Sequence, residues 1–345
     1  MPPTHYAVSS RGALAYQVLG DGPPDLVMVP GLTSHLELQW QLATYRSFMR
    51  KLARHCRLIR YDKLGTGLSD PTADPPSPAE RVDDLHAVIT SAEAHAPVLF
   101  GFSEAGPLTI RYSLDHPVGA LVLYGTSMRP PPPDYQAVLE QLLQHWGTGA
   151  SLDVYAPSSA GDAAIRTTTA AIERAAASPA MVRHVMTAIT LADARKAVAQ
   201  VTVPTLVLHR DNEFVPLQEA HDLADMIPGA ELVVVPGVDH HPWAGDQDSL
   251  LGPIAAFLDR VYEAEAPVST HRPATPRSRT GWNALTRAER LVADRAAAGM
   301  SNPDIARDLH VARSTVETHL KRVYAKLGID GRHQLPRPTQ PTAQP

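Results

Sequence analysis

Ser103 stands in the sequence Gly-Phe-Ser-Glu-Ala-Gly, residues 101–106, between an apolar run and a helix-forming stretch. Small residues beside a serine allow a strand to turn sharply into a helix, and the turn exposes the hydroxyl. A serine held in this way is a candidate nucleophile for acyl transfer. A Gly-x-Ser pair can equally mark a plain turn, and the third small position holds Ala105 rather than glycine. The six residues alone leave both interpretations open.

Two later loops could supply the partners that a nucleophilic serine needs. The run PTLVLHR is followed by the acid-containing DNEFVP, residues 211–216, and the run ELVVVPG is followed by VDHHPW, residues 238–243. Serine, acid and histidine follow one another in this order in one class of hydrolases. The adjacent His240 and His241 could instead bind a metal, but the sequence has no second cluster at ligand spacing. We therefore expect no metal and no organic cofactor.

The elements that position these loops alternate between strand-like and helix-like segments. Such alternation predicts an α/β fold, a doubly wound and mostly parallel sheet with helices on both faces. A helical stretch at about 130–198 interrupts it and is expected to cap the carboxyl edge of the sheet. The predicted strands are His5–Ser9, Ala13–Leu19, Asp25–Val29, Arg57–Tyr61, Val98–Phe102, Ala120–Tyr124, Thr205–Arg210 and Glu231–Val235.

Residues 5–265 resemble the α/β-hydrolase domains that bacteria fuse to regulatory or signalling modules. The resemblance rests on AYQVLGDGPPDLVMVPG, DKLGTGLSD, GFSEAG and PGVDHHPWAGD. It implies that Ser103 is the nucleophile and His240 the base. The backbone N–H groups of Glu104 and Leu32 would form the oxyanion hole.

The acid of this triad is harder to place. The aspartate of the family usually stands four residues before the proline of the Val-Pro pair, and Asn212 occupies that position here. Asp211 and Glu213 flank it. We choose Asp211, since a one-residue shift of the loop would bring it to His240. Leu64 also replaces an arginine that is usual in the family, so whether the domain hydrolyses an ester or only binds a ligand stays open.

The C-terminal part has the pattern of three short helices, and we place this domain at residues 282–335. Thr286 with Glu289 forms a capping box, Ser301 caps the second helix and Ser314 is the candidate cap of the third. A helix-turn-helix that binds DNA and a three-helix module that binds a protein both fit this pattern. The third helix is predicted to be apolar along one face at Val316, Leu320, Val323 and Leu327.

The run LTRAE…AAGMSNPDIARDLHVARSTVETHLKRVYAKLGI closely resembles the LuxR-type helix-turn-helix. This resemblance implies binding to double-stranded DNA. Pro336 limits the fourth helix of that family to about one turn, so a homodimer would form through the hydrolase-like domain. The resemblance puts Glu317, Thr318 and Lys321 at the base-facing positions and Ser314 and Thr315 near phosphates, while Arg313, Arg322 and Lys326 suit phosphates by their charge.

Charge and composition agree with a chain of two unlike parts. Residues 266–345 carry thirteen Lys and Arg against six Asp and Glu, so their net charge is +7 and that of residues 1–265 is −12. A basic part favours a polyanionic partner. Residues 266–281 read as a linker and residues 336–345 as a disordered tail. One cysteine, no secretory signal and no long apolar run predict a cytoplasmic protein without a membrane partner.

Together these features predict a transcriptional regulator. The hydrolase-like domain would sense, and could hydrolyse, a small-molecule ligand or ester substrate that the sequence does not name. The alternative is a serine esterase with an accessory DNA-binding tail, using Ser103, Asp211 and His240.

Overall fold

The computed structural model describes residues 1–130, 135–190, 193–265, 287–308, 313–329 and 331–335. The chain divides into two compact units, residues 1–267 and 268–345. The predicted linker and tail fall almost wholly outside the described residues, so they stay predictions.

The first unit contains one eight-stranded sheet. Its strand order is β1-β2-β4-β3-β5-β6-β7-β8. The pairs β1–β2 and β2–β4 are antiparallel, and the other five pairs of neighbouring strands are parallel. The predicted strands and fold class are confirmed, and one strand begins a residue early. The strands are β1 His5–Ser9, β2 Gly12–Leu19, β3 Asp25–Val29, β4 Arg57–Tyr61, β5 Val98–Phe102, β6 Ala120–Tyr124, β7 Thr205–Arg210 and β8 Glu231–Val235.

Helices cover both faces of this sheet because its strands are apolar on both sides. Alternate residues of β5 illustrate this: Leu99 packs into one core and Phe100 into the other. Parallel strands buried on two faces need such near-continuous apolar sequences. The covering helices are α1 Ala43–Leu52, α2 Pro78–Ser91, α3 Gly106–Asp115, α9 Leu217–Met226 and α10 Asp248–Glu265.

The predicted helical stretch lies between β6 and β7. Within it, Trp146 Nε1 donates to the carbonyl of Ala177 at 2.8 Å. Leu139, Leu143, Val182 and Met186 form a small apolar core of their own. We call this stretch the cap; its helices are α4 Tyr135–Gln144, α5 Ser151–Tyr155, α6 Ala163–Ala176, α7 Pro179–Thr190 and α8 Arg195–Val198.

The second unit has the three predicted helices, α11 Arg287–Ala297, α12 Asn302–Asp308 and α13 Arg313–Leu327. Gly299 and Gly328 follow α11 and α13 with φ of 91° and 64°, the left-handed backbone that ends helices. The shared core contains Val292, Ala293, Ala296, Ile305, Val316, Leu320, Val323 and Leu335.

Three details of the helix ends bear on the sequence interpretation. Ser301 caps α12, since its Oγ accepts from the backbone N–H of Asp304 at 3.4 Å. Ser314 is not the N-cap of α13, because the helix already begins at Arg313. Thr286 lies outside the described residues. Beyond α13, Arg332–Gln334 form a single 3-10 turn, in agreement with a shortened fourth helix.

In the described part of the chain, no helix combines the length and the apolar character that crossing a bilayer requires.

Candidate active site and candidate DNA-binding helix

The elbow, residues 101–106, lies where β5 turns into α3. Ser103 has φ of 57°, one of three non-glycine residues in the described chain with positive φ. Such a backbone costs about 1–3 kcal/mol and persists only where its surroundings enforce it. Ser103 is partly exposed, while the residues on both sides of it are buried. The elbow therefore presents the serine hydroxyl at the carboxyl edge of the sheet.

Close packing explains which elbow positions must be small. A Cβ on Gly101 would lie 2.7 Å from the Thr109 side chain, and one on Gly106 would lie 2.2 Å from Thr126 Oγ1. Ala105 is fully buried and fits with its methyl group in place. Glycine is thus required at residues 101 and 106, and alanine at residue 105 is compatible with the turn.

His240 follows β8 and Glu213 follows β7, and their side chains meet. The Nδ1 of His240 lies against Glu213 Oε2 in a short hydrogen bond. Both side chains are buried, with 3% and 0% of their surfaces exposed. A buried carboxylate on Nδ1 fixes the tautomer that leaves Nε2 as a proton acceptor.

The choice of Asp211 as the partner of His240 is wrong in this geometry. Asp211 is exposed, and its Oδ1 accepts from the N–H of Gly237 at 2.9 Å. The backbone N–H groups of Asp211 and Asn212 bond to the carbonyls of Val235 and Gly237, which extends the pairing of β7 with β8. The chain turns inward only at Glu213, so Glu213 rather than Asp211 meets His240.

The Glu213 carboxylate lies in a closely fitting site. A Cβ on Gly125, which follows β6 with φ of 53°, would be 2.6 Å from Glu213 Oε1. On the other side, His209 Nδ1 is 3.1 Å from the same oxygen, off the line of a hydrogen bond, so the contact is chiefly electrostatic. Burial lowers the pKa of His209, although Glu213 opposes the shift. Three strand ends thus converge on one carboxylate.

Ser103 and His240 line the same cavity, which encloses about 90 Å³. Within the described structure, His240 Nε2 has no hydrogen-bond partner, so it does not bond to Ser103 Oγ at this geometry. Catalytic hydrogen bonds often form fully only when substrate is bound. Leu32, a predicted oxyanion residue, also lines the cavity. Glu104 is in the 3-10 turn that starts at Ser103, where the first N–H groups lack acceptors within the helix.

Sequence reasoning missed a buried charge network behind the elbow. The Glu104 side chain pairs with Lys63 and with Arg81 Nη2, the latter at 2.7 Å, and Lys63 Nζ also donates to the carbonyl of Gly31. Burial lowers the pKa of Lys63 to about 8. Burial alone would raise the pKa of Glu104, but Arg81 and Lys63 outweigh it and the pKa lies below its usual value. The network joins the elbow to the Pro30–Leu32 loop, which would position both oxyanion donors.

His241, the second histidine of the pair, should make the free energy of unfolding depend on pH. Burial, reinforced by His240 and Arg210, lowers the pKa of His241 to about 3. The unfolded chain binds this proton near pH 6.5, so stability falls as pH drops below 6.5. We expect His241 to contribute a loss of about 1.5 kcal/mol between pH 6.5 and 5. Urea unfolding at both pH values measures this contribution in wild type and in His241→Phe, which keeps a ring beside Trp243. The free energy of unfolding should fall further in wild type than in the variant between pH 6.5 and 5. An equal fall in the two proteins would contradict the prediction.

In the part of the chain that the structure describes, no group of three or more metal-binding side chains comes together. His240 and His241 are engaged separately: one ring contacts Glu213, and the other stacks on Trp243 with ring centroids 4.8 Å apart. The arrangement suits acid–base chemistry rather than metal binding.

In the second unit, α13 separates an apolar face from a charged one. Val316, Leu320 and Val323 are buried, whereas Arg313, Glu317, Lys321 and Lys326 are exposed. Arg313 and Glu317 form an ion pair of 2.8 Å one turn apart. The side chains of Ser314, Thr315, Thr318 and Arg322 lie outside the described residues. The exposed residues Arg313, Glu317 and Lys321 recur every four positions and form a stripe along the helix.

Comparison with family models agrees with this division. Residues 26–250 match the model described as "Alpha/beta hydrolase family". Residues 283–337 match the one described as "Bacterial regulatory proteins, luxR family".

Individual relatives resemble one part or the other. Over 73 residues, the chain is 47% identical to an HTH-type transcriptional regulator of Mycobacterium tuberculosis. The matched stretch covers 21% of this chain but only 8% of that protein. It is 25% identical over 265 residues to a pimeloyl-[acyl-carrier protein] methyl ester esterase of Nitrosospira multiformis, covering 71% of this chain and 98% of the esterase. The crystal structure of an enol-lactonase from Burkholderia xenovorans superposes with a TM-score of 0.64 at 19% identity, over 74% of this chain and all of the lactonase. The last likeness concerns the fold alone.

Proposed function

Because the chain belongs to the alpha/beta hydrolase family and continues into a LuxR-type helix-turn-helix domain, we propose that it is a DNA-binding transcriptional regulator whose hydrolase domain senses a small molecule. The match covers only 8% of the length of such a regulator. The proposal therefore rests on residues of this chain. The observation that carries the proposal is α13, a helix with one face in the core and a charged stripe on the other.

The stripe supplies the chemistry that major-groove recognition uses. Lys321 can donate to guanine O6 and N7, and Glu317 can accept from cytosine N4. Arg313 pairs with Glu317 in the structure and would hold that carboxylate in place or move to a phosphate. A helix-turn-helix places such a helix in the major groove, and two-fold related half-sites would call for a dimer of the chain. Reading DNA would place the protein in the cytoplasm.

The hydrolase domain supplies the sensing pocket in this proposal. Its cavity is lined from the sheet by Ser103 and His240 and from the cap by residues of α5 and α6. A ligand that contacts both sides would bind one arrangement of the cap more tightly than another. Only such a difference in affinity can bias DNA binding. Coupling of this kind typically changes affinity by 5- to 150-fold.

A second activity, ester hydrolysis, is favoured by one specific observation: His240 meets a buried carboxylate at Glu213. Ser103 Oγ would attack the ester carbonyl while His240 Nε2 takes its proton. Glu213 would stabilise the imidazolium through Nδ1, and the N–H groups of Leu32 and Glu104 would bind the oxyanion. His240 would then protonate the leaving alcohol. Water would then attack the carbonyl of the acyl group on Ser103 while His240 Nε2 takes its proton, and His240 would return that proton to Ser103 Oγ as the carboxylic acid leaves.

The regulator role is tested by DNA binding of the full chain. We expect a mobility shift with DNA from upstream of its own gene that survives an excess of unrelated duplex. The affinity should fall steeply as salt rises from 50 to 200 mM, because phosphate contacts release counterions. Sedimentation of the complex gives the number of chains bound. Equal affinity for the upstream and the unrelated DNA would count against the proposal.

A further inference from the structure

Helix α6 of the cap contains three consecutive threonines, and the third behaves differently. The hydroxyls of Thr167 and Thr168 donate to the carbonyls of Ala163 and Ala164 at 2.8 and 2.9 Å. Thr169 is only 7% exposed, yet in the described structure its Oγ1 has no hydrogen-bond partner. An unpaired buried hydroxyl is destabilising, and nearly all such groups have a partner. The Thr169 hydroxyl therefore makes no hydrogen bond that would offset its burial.

Thr169 lines the cavity that also holds Ser103 and His240. Of the described residues that line the cavity, Thr169 and His240 are the two with a buried, unpaired side-chain atom, Oγ1 and Nε2 respectively. One belongs to the sheet side of the cavity and the other to the cap side. A ligand that satisfied both would need two separate polar groups.

The remaining lining disfavours an anionic ligand. Leu32, Trp146, Leu152, Ile165, Ile172 and Trp243 make most of the wall apolar. Among the described lining residues no lysine or arginine occurs, and Glu173 is the only carboxylate. Glu173 is already engaged: its oxygens accept from the N–H groups of Gly147 and Gly149 at 2.9 and 2.8 Å and from the Ser151 hydroxyl. A buried anion on the ligand would find no counter-charge, which makes its binding costly.

We propose that the cavity binds an uncharged ester or lactone with a second uncharged hydrogen-bonding group, and that Thr169 is the cap-side anchor for that second group. The inference rests on the proposed sensing role and deepens it. The carbonyl of the ligand lies at Ser103, and its amide, ketone or hydroxyl group bonds to Thr169 Oγ1. Because Thr169 belongs to α6, this bond ties the ligand to the cap.

Three esters with the same chain length test this assignment. Ethyl hexanoate has an apolar acyl chain, ethyl N-acetyl-β-alaninate replaces part of it by an amide, and monoethyl adipate ends in a carboxylate. Their Kd values are measured by calorimetry on the full chain carrying Ser103→Ala, so that hydrolysis plays no part. We expect Thr169→Val to weaken the amide ester by about five- to tenfold and the hexanoate by less than twofold. The adipate should bind at least tenfold more weakly than the amide ester.

Thr168→Val is the matched control, since it removes a hydroxyl that is paired within the same helix. It should leave all three Kd values unchanged. Thr169→Val should melt at the same temperature as its parent or higher, because it removes an unpaired buried hydroxyl. The esters are repeated with eight chain atoms, as octanoate, N-acetyl-5-aminopentanoate and suberate, so that chain length does not decide the outcome.

Several results would overturn the inference: equal weakening of all three esters by Thr169→Val, tightest binding of the carboxylate, a lowered melting temperature, or no binding of any ester. DNA binding of the same variants is measured in parallel. If one of these results is obtained and specific DNA binding is intact, the Thr169 assignment alone is wrong. Loss of specific DNA binding in the parent counts against the regulator role instead.

Discussion

Replacing Glu213 by glutamine should lower kcat for hydrolysis of p-nitrophenyl butyrate by about 10³- to 10⁴-fold, whereas Asp211→Asn should change it by less than about threefold. Glu213 lies against His240 Nδ1 in the buried site, and a neutral amide there would stabilise the imidazolium poorly. Asp211 faces solvent and accepts from Gly237 N–H, a bond that asparagine can also accept. This pair of variants would therefore distinguish a catalytic from a structural carboxylate.

Ser103→Ala sets the baseline for this comparison, and a melting curve of each variant shows whether its fold is intact. If Asp211→Asn falls to that baseline while Glu213→Gln keeps wild-type activity, the assignment of the acid is wrong. If wild type is no faster than Ser103→Ala, the domain does not hydrolyse esters and only the sensing role is left.

The other large effect is expected on DNA. Lys321→Ala should weaken binding to the upstream site by about 10- to 100-fold and bring the affinity close to that for unrelated duplex, because a base contact is lost. Lys321 is exposed on the face of α13 opposite the buried Val316 and Leu320, so the substitution leaves the core in place. Fluorescence anisotropy with both duplexes at two salt concentrations measures the affinity and the specificity ratio.

Lys196→Ala is the matched control for Lys321→Ala. It removes the same charge from an exposed position in α8, in the other unit of the chain. It should leave both affinities within about twofold of wild type. Equal losses in the two variants would mean that overall charge, rather than a contact made by α13, accounts for binding.

Much of this architecture follows from the sequence because local rules decide it. The strands are short apolar runs between turn residues, and burial on both faces needs that pattern. The spacing of Val316, Leu320 and Val323 likewise determines which face of α13 packs into the core. Ser103 could be recognised because small residues, Gly101 and Ala105, stand two positions before and after it.

The acid could not be chosen from the sequence because the choice depends on how far strand pairing continues. Two acids flank Asn212 directly after β7, and hydrogen bonds from the N–H groups of residues 211 and 212 to the end of β8 and to the loop after it turn Asp211 outward. The family spacing, four residues before the proline of Val-Pro, identifies Asn212 and does not indicate that Asp211 turns outward. Glu213 itself carries a signal only in retrospect, as a carboxylate whose longer side chain can reach His240.

The network of Lys63, Glu104 and Arg81 could not be predicted from the sequence, for a different reason. Its members come from three distant segments, and only the sheet brings them together. Thr169 is similar, since a run of threonines in a helix gives no sign of which hydroxyl is left unpaired. Such features depend on tertiary packing, which no local pattern encodes.

Occupation of the Ser103 pocket should change the affinity of the chain for DNA. The most direct measurement is the Kd of the full chain for upstream DNA before and after Ser103 is modified with a small alkyl fluorophosphonate. Mass spectrometry confirms complete modification, and Ser103→Ala treated in the same way is the control. We expect a change in Kd of at least about fivefold in wild type and none in the control. Complete modification of Ser103 with an unchanged Kd would contradict this expectation.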